Sequence, residues 1–321
     1  FALSYRCRTD TGSAGSGSNL TVFEQRSVQG AYFALSAYTF WGLAPVFFKL
    51  LDHVSAPEIL IQRVIWSVIL LLGILTYTGQ LKELQIEKRK IAILFISASL
   101  LSVNWLIFIY AIINNNIVET SLGYFINPLV SVLLGMIFLG ERLRGIQWIA
   151  IVITASGIAF QLLIFDDVPW LALALAFSFG FYGLIRKNLQ LHPVAGLTLE
   201  TLMVLPFALA GLIWLNQTGS MEFLAVNLST DLLLIASGFV TSFPLLCFAA
   251  AVTRLSLTAA GMFQYIAPSI SLVIAVVIFN EPFGLDRQIT FGCIWIALIL
   301  FSIESLHFHR QLSRRLLPTA N

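Results

Sequence analysis

Long apolar runs, separated by short polar segments, follow one another along almost the whole chain. Each run is about the length that an α-helix needs to cross ~30 Å of hydrocarbon. A helix satisfies every backbone N–H and C=O group within its own segment, which a lipid environment requires. The pattern therefore predicts ten transmembrane helices, at Gly30–Leu51, Pro57–Tyr77, Ile91–Ile113, Ile117–Leu139, Ile146–Phe165, Pro169–Ile185, Val194–Leu215, Asp231–Val252, Leu257–Phe279 and Ile289–Ser305.

The positive charges give these helices a topology. When the connections are numbered alternately, every Lys and Arg lies on one side, except Arg287 on the other side and Lys49 and Arg63 within helices. Because positively charged loops stay in the cytoplasm, both termini are predicted to be cytoplasmic. One missed or added helix would scramble this distribution, so its regularity supports ten crossings.

Composition excludes several classes of function. The chain is 58% hydrophobic and 11% charged, which is unlike any soluble globular domain. Its net charge of +2 follows from the topology and does not indicate a nucleic-acid partner. Three scattered cysteines suit neither a disulfide framework nor a zinc site. The sequence has no nucleotide P-loop, zinc-protease motif or nucleophile elbow, so we expect no enzyme activity, cofactor, bound metal or ATP-driven pumping.

An internal duplication runs through the chain. A shift of 140 residues overlays Ile126, Pro128, Ser131 and Glu141 on Ile266, Pro268, Ser271 and Glu281, and a shift of 138 overlays Trp41-Gly42 on Phe179-Gly180. A unit of five helices is odd in number, so its second copy is inverted in the membrane. Inverted repeats of this kind are typical of secondary transporters with a site near the midplane. The predicted divisions are 1–29 (a disordered cytoplasmic segment), 30–165, 166–306 and 307–321 (a basic cytoplasmic tail).

The duplicated motifs resemble one known family. They are Ala37-Tyr-Thr-Phe-Trp-Gly-Leu-Ala-Pro45, Arg63-Val-Ile-Trp-Ser67, Glu119-Thr-Ser-Leu-Gly-Tyr-Phe-Ile-Asn-Pro-Leu129, Glu141-Arg-Leu143 and Gln264-Tyr-Ile-Ala-Pro268. Together they are similar to the ten-helix EamA-type branch of the drug/metabolite transporter superfamily, and within it to the RarD permeases. The resemblance covers about residues 27–306. It implies an inverted five-plus-five helical fold and transport of small molecules across a bacterial inner membrane, with no settled substrate.

Two charged residues lie at membrane depth, where a charge is costly and usually faces a cavity or a partner. Arg63 and Glu200 each lie six residues into a predicted helix, about 9 Å deep. A shift of 137 residues superimposes them, so they are candidate symmetry mates. Arg63 is predicted either to attract an anionic group or to snorkel. Glu200 either attracts a cation or carries a coupling proton, or it makes a structural hydrogen bond.

Prolines and carboxylates recur at matching places in the two halves. Asn127-Pro128 and Ala267-Pro268 interrupt the backbone hydrogen bonds of the fourth and ninth helices, which predicts kinks that serve either a cavity or packing. Glu141 and Glu281 end the same helices and are interpreted as structural anchors. Helices 5 and 10 carry the fewest deep polar groups, so we expect them at the periphery or at a homodimer contact.

These observations favour a secondary transporter that exports a small organic metabolite by alternating access. Its partners are the solute and the lipid bilayer, and proton coupling through Glu200 is one hypothesis. Alternatives are a broad exporter of amphipathic drugs, or a membrane sensor or interaction protein without flux. Aromatic residues inside the helices either line the cavity or pack helices together. The candidate substrate-binding residues are Trp41, Arg63, Asn104, Tyr124, Asn127, Glu200, Gln264 and Tyr265.

Overall fold

The computed structural model describes residues 16–113, 117–163, 169–278 and 284–316, and these residues form α-helices and one 3-10 helix without strands. Leucine, alanine and β-branched residues dominate the helices, and their backbone polar groups are paired within each segment, as lipid requires. The helices are α1 Ser16–Lys49, α2 Ala56–Tyr77, α3 Lys88–Ile113, α4 Ile117–Leu139, α5 Gly145–Leu162, α6 Trp170–Leu189, α7 Pro193–Thr218, α8 Leu228–Val252, α9 Leu257–Phe263, α10 Ile266–Val277 and α11 Leu285–Leu316. The 3-10 helix is Leu81–Leu84, between α2 and α3.

These elements confirm an all-α polytopic membrane fold. Within the described residues, nine segments are long and apolar enough to cross a membrane, and α9 with most of α10 counts as one of them. The remaining long helix, α6, is the tenth crossing and carries Arg186 and Lys187 in its last turn. The ninth crossing is broken at Gln264 and Tyr265, just before Pro268, because a proline cannot supply the next backbone donor. Pro128, its equivalent, lies inside an uninterrupted α4.

Two predicted boundaries differ from the structure. α1 begins at Ser16, so residues 16–29 are helical where the sequence predicted disorder. Once the transmembrane helix is nucleated, each added residue gains a hydrogen bond at little further cost, and Leu20, Glu24 and Gln25 favour the extension. α6 extends to Leu189, so residues 186–189, which follow the predicted helix end at Ile185, are helical. Residues 1–15 and the predicted anchor Glu281 lie outside the described residues.

The helices of the two halves make equivalent contacts. In this equivalence α1 to α5 correspond, in order, to α6, α7, α8, α9–α10 and α11. α4 packs on α6 as α10 packs on α1, α1 packs on α8 as α6 packs on α3, and α2 packs on α8 as α7 packs on α3. Two glycines show the same symmetry in atomic detail. A Cβ added to Gly42 would lie 2.7 Å from the Cβ of Ile270, and one added to Gly180 would lie 2.7 Å from the Cγ1 of Val130. Each half therefore packs its first helix on the fourth helix of the other half, and small residues allow this close approach.

One contact marks the axis that relates the halves. The Tyr265 hydroxyl donates a hydrogen bond to the backbone oxygen of Phe125 at 3.1 Å, and these residues are 140 apart, which is the repeat shift. A residue can touch its own symmetry mate only near the axis. The largest buried cluster surrounds this contact and includes Phe125, Tyr265 and Met262. The midline of the molecule thus runs between α4 and the broken α9–α10 helix.

α5 and α11 pack on each other beside this core, joined by Thr290, which donates to the Gly157 oxygen, and by the Arg144–Glu304 ion pair. One face of α5 stays exposed, with Trp148, Ile149 and Val152. The position agrees with the expectation that helices 5 and 10 lie at the periphery.

Candidate functional site

Arg63 lies inside the helix bundle and bridges three helices. Its Nε donates a hydrogen bond to Thr241 Oγ1 of α8 at 2.7 Å. Its guanidinium carbon lies 5.4 Å from the centroid of the Phe48 ring and 5.3 Å from that of Trp105. Both are cation–π distances, and such contacts strengthen when they are shielded from water. The positive charge is therefore held between rings and a neutral hydroxyl, and none of its described contacts is a carboxylate.

Tyr124 opens onto accessible space next to this cluster. It is 49% exposed although the residues on either side of it are buried. Ser131, two turns further along α4 on the same face, packs against Gly261 of α9, whereas the exposed Leu133 lies on the opposite face. Tyr124 therefore lies on the face of α4 that is turned towards the other half of the molecule. The Tyr124 ring lies 6.3 Å from that of Phe108 in α3, one turn from Trp105, which contacts Arg63. The structure therefore places these two predicted residues against the same stretch of α3.

A line of polar groups follows the axis between α4 and α9–α10. Gln264 Nε2 donates to Ser131 Oγ at 3.1 Å, and both residues are buried. The side-chain oxygen of Asn127 is also buried and has no hydrogen-bond partner among the described residues. A buried polar atom without a partner costs free energy, so such atoms suit a place where water or a solute enters. Tyr265, in contrast, is fully buried with its hydroxyl bound to the Phe125 oxygen and has a structural position.

Glu200 is buried and contacts three polar side chains. Its carboxylate accepts hydrogen bonds from Ser97 Oγ at 2.7 Å and from the Tyr182 hydroxyl at 3.4 Å, and lies 3.8 Å from Arg186 Nη1. Glu200 is 1% exposed and Arg186 is 2% exposed. The sequence placed Arg186 in a cytoplasmic loop, which is wrong. It is buried in α6 because Glu200 compensates its charge and because Gly196, which has no side chain, leaves room for the guanidinium.

The other two candidates lie among helix contacts. Asn104 Nδ2 donates to the Leu175 oxygen at 3.0 Å and to Ser178 Oγ at 2.9 Å, which joins α3 to α6. The Trp41 ring packs against Tyr38, Phe179 and Phe248, at centroid distances of 5.5, 5.9 and 6.1 Å. These contacts correspond to the helix-packing alternative that the sequence left open.

The structure thus separates the predicted residues into distinct groups. Arg63 and Tyr124 share one opening, Asn127, Gln264 and Tyr265 lie along the axis, and Glu200, Asn104 and Trp41 hold other helices together. Sequence reasoning missed Phe48, Trp105 and Thr241 as neighbours of Arg63. Thr241 offered a signal, because a hydroxyl in the middle of an apolar helix is a potential partner for a buried charge.

Glu141 has the anchoring role that the sequence predicted. Its carboxylate accepts hydrogen bonds from the backbone N–H groups of Leu257 at 2.6 Å and Thr258 at 2.8 Å, at the start of α9. A carboxylate at this end of a helix also interacts favourably with the helix dipole. It therefore ties the end of α4 to the broken helix of the other half.

Comparison with known proteins agrees with this architecture. A protein of Vibrio cholerae with the name "Uncharacterized transporter" is 47% identical over 291 residues, which cover 89% of this chain and 96% of that protein. "Protein RarD" of Escherichia coli is 45% identical over 289 residues, which cover 89% and 98%. "Chloramphenicol-sensitive protein RarD" of Pseudomonas aeruginosa is 28% identical over 296 residues, which cover 90% and 98%.

Similarity also extends to a solved fold and to a family model. One solved structure, described as "Crystal structure of protein", has a TM-score of 0.68 at 17% identity and covers 85% of this chain and 97% of its own, so it shares the fold. The family model described as "EamA-like transporter family" matches twice, over residues 28–163 and 169–303. With ten helical crossings and two matches in tandem, the chain belongs to the EamA-like transporter family and is a bacterial multi-pass membrane transporter of the RarD type.

Proposed function

We propose that this transporter works by alternating access and exports a small organic metabolite. Two halves, residues 30–165 and 166–306, would exchange conformations around a solute site near the axis between them. The exchange of helix contacts between the halves supports this mechanism, because near-equivalent halves have two arrangements of similar energy. Export, as opposed to uptake, rests on the family resemblance.

The observation that carries the proposal is a difference between symmetry mates. Tyr124 is 49% exposed, while Gln264, its equivalent at a shift of 140, is 6% exposed. Arg63 is half-buried, while its equivalent Glu200 is almost completely buried. By the predicted topology, Tyr124 and Arg63 lie towards the outside and their mates lie towards the cytoplasm. One conformation that is open outwards and closed inwards accounts for both differences.

The Arg186–Glu200 pair is the proposed inner closure. It joins α6 to α7, while Ser97 of α3 and Tyr182 of α6 bind the same carboxylate. An inward-open state would separate these groups and hydrate them. Water would then replace the lost hydrogen bonds, so the cost of opening is smaller than the cost of removing one partner in the closed state.

The charge distribution supports a location in the inner membrane with both termini in the cytoplasm. Arg142 and Arg144, between α4 and α5, and Arg89 and Lys90, at the start of α3, are assigned to the same side as the basic C-terminal tail. This distribution follows the positive-inside rule.

Cysteine labelling tests the proposed conformational cycle. In a background with Cys7, Cys247 and Cys293 replaced, a membrane-impermeant maleimide added outside should label Tyr124→Cys quickly and Gln264→Cys slowly. Arg186→Met, by weakening the inner closure, should slow the labelling of Tyr124→Cys from outside and speed the labelling of Gln264→Cys by the same reagent in inside-out vesicles. Equal labelling of both positions from outside, with no response to Arg186→Met, would contradict alternating access around this axis.

Flux measurements separate the alternatives. Saturable counterflow of a solute in proteoliposomes is expected for a transporter and excludes a sensor without flux. If Glu200 carries a coupling proton, Glu200→Gln abolishes the pH dependence of that flux. Unchanged rate and pH profile would exclude this coupling role.

One relative's name favours testing the drug-exporter alternative directly. The Pseudomonas aeruginosa relative is named "Chloramphenicol-sensitive protein RarD". Chloramphenicol is a neutral aromatic amide, so its transport would not need a buried cation. If resistance assays show export of neutral amphipathic drugs by the wild type and equally by Arg63→Gln, the broad exporter replaces the metabolite transporter.

A further inference from the structure

We infer that the solute carries a single negative charge, most simply a carboxylate, which binds the Arg63 guanidinium, and an apolar ring or chain beside it. The inference rests on the proposed transport function and names the chemical class of its substrate. Its first support is the balance of charge inside the membrane. The deeply buried Arg186 is paired with Glu200, whereas the described contacts of Arg63 are a hydroxyl and aromatic rings.

A guanidinium that has no anionic partner among the described residues is costly at this depth unless an anion neutralises its charge. An anion that binds removes this cost, and the free energy released adds to the affinity for an anionic solute. Neutral solutes gain no such term. The structure therefore favours anions over neutral molecules of the same shape.

The contacts of Arg63 leave its two Nη groups available to bind an anion. Nε is occupied by Thr241, and the cation–π contacts hold the guanidinium between Phe48 and Trp105. The two Nη groups have no described acceptor, and the side chain is only half-buried. Two parallel N–H donors match the two oxygens of a carboxylate. The described side chains that contact Arg63 bring no second positive charge, which suits a monoanion better than a dianionic phosphate.

Aromatic residues surround the same opening and indicate the rest of the solute. The exposed ring of Tyr124 lies 6.3 Å from that of Phe108, and Trp105 of the same helix contacts Arg63. Flat apolar groups pack favourably on such rings by stacking or edge-to-face contact. An aromatic or branched carboxylate would therefore place its charge on Arg63 and its apolar part against α3 and α4.

Matched pairs of small molecules test this inference. The probes are indole-3-acetate with indole-3-acetamide and benzoate with benzamide, which differ in charge but little in shape. Binding to the purified, detergent-solubilised transporter is measured by thermal stability at increasing probe concentration. We expect the wild type to bind at least one carboxylate on the order of tenfold to a hundredfold more tightly than its amide, as charge-assisted hydrogen bonds predict.

Two variants and a control assign this preference to Arg63. Arg63→Gln should abolish the difference within each pair, and Arg63→Lys should retain a reduced preference, because it keeps the charge but loses the paired donors. The matched control is Arg254→Gln, which removes an arginine that also stacks on a phenylalanine, Phe33 at 5.1 Å, at the cytoplasmic end of α8. It should bind like the wild type. If Arg63→Gln does not fold, the reduced preference of Arg63→Lys provides the same test.

Several results would overturn the inference. They are equal affinity for both members of every pair, no stabilisation by either carboxylate up to its solubility limit, or an unchanged preference in Arg63→Gln. Counterflow of neutral solutes by the wild type, combined with any of these results, would leave the proposed transport function standing. The two proposals can thus fail separately.

Discussion

The buried Arg186–Glu200 pair should be far more sensitive to single substitutions than its distance from the Arg63 opening suggests. Both side chains are almost fully buried, so Arg186→Met leaves a carboxylate without its counter-charge, at a cost of about 3–5 kcal/mol. The free energy of unfolding, measured by denaturant titration in mixed micelles, gives this cost.

A double-mutant cycle provides the control for this prediction. Arg186→Met combined with Glu200→Gln removes both charges and should recover most of the lost stability. Additive losses in the double variant would mean that the ion pair does not hold the inner side closed. Ser97→Ala, which removes one donor to the same carboxylate, should cost about 1.5–3 kcal/mol, the range for a hydrogen bond to a charged group.

For individual residues, the sequence predicted how deep a charged side chain lies in the membrane better than which residues it contacts. The positions of Arg63 and Glu200 six residues inside their helices were enough to mark both as unusual. The partner of Glu200 could not be recognised, because Arg186 stands at the polar end of an apolar run and normally faces solvent there. Its burial depends on Gly196, on a different helix, which leaves space for the guanidinium. Such a complementarity exists only after the helices are packed.

Between elements, close helix contacts depend on particular glycines. A Cβ on Gly238 of α8 would lie 2.6 Å from the backbone carbon of Trp66 in α2. A backbone atom within a helix cannot move aside cheaply, so Gly238→Ala should destabilise the protein by about 1–3 kcal/mol through overpacking. Thermal unfolding of the purified protein measures the loss.

Gly73, on α2, is the matched control. A Cβ there would meet nothing within 4 Å. Gly73→Ala should therefore be neutral, or stabilising by up to about 1 kcal/mol through helix propensity. Gly238→Ala and Gly73→Ala with the same unfolding midpoint would show that the α2–α8 contact is looser than described.

The ends and breaks of helices were predicted unevenly. Both repeat prolines were expected to disturb their helices, yet only the segment containing Pro268 is broken, and α4 passes through Pro128 as one helix. In the broken segment, the N–H groups of Gln264 and Tyr265 donate to the backbone oxygens three residues earlier, those of Gly261 and Met262. Whether a proline bends or breaks a helix depends on what its neighbours can satisfy, and that information is not local in sequence.

For the whole molecule, the topology makes a direct prediction. A reporter fused after Asn321 and one fused before the first residue should both be cytoplasmic, because the positive segments lie on that side. Fusions of alkaline phosphatase, active outside, and green fluorescent protein, fluorescent inside, distinguish the two sides. A C-terminal fusion found outside, with the N-terminus inside, would contradict ten crossings and the inverted relation of the halves.

The global arrangement was the most predictable part of the structure. The number of crossings follows from apolar length and alternating charge, and the inverted duplication follows from the overlay of the sequence on itself together with the odd number of helices in each copy. The shifts of 140 and 138 even anticipated which residues occupy equivalent places, such as Gly42 and Gly180. The exposure of Tyr124 was not predictable, because it depends on how the neighbouring helices pack around it.

Arg186 also has a consequence for how the chain is made. On its own, α6 has Arg186 and Lys187 in its last turn, where long basic side chains reach the membrane surface, so Arg186 takes its buried position only when a counter-charge is present. Its counter-charge, Glu200, is only synthesised with α7. The short connection from Gln190 to His192 lets both helices enter as a hairpin with the pair already formed. Packing of the sixth span into the bundle should therefore wait for the seventh, and a nascent chain that stops between them would leave α6 poorly packed.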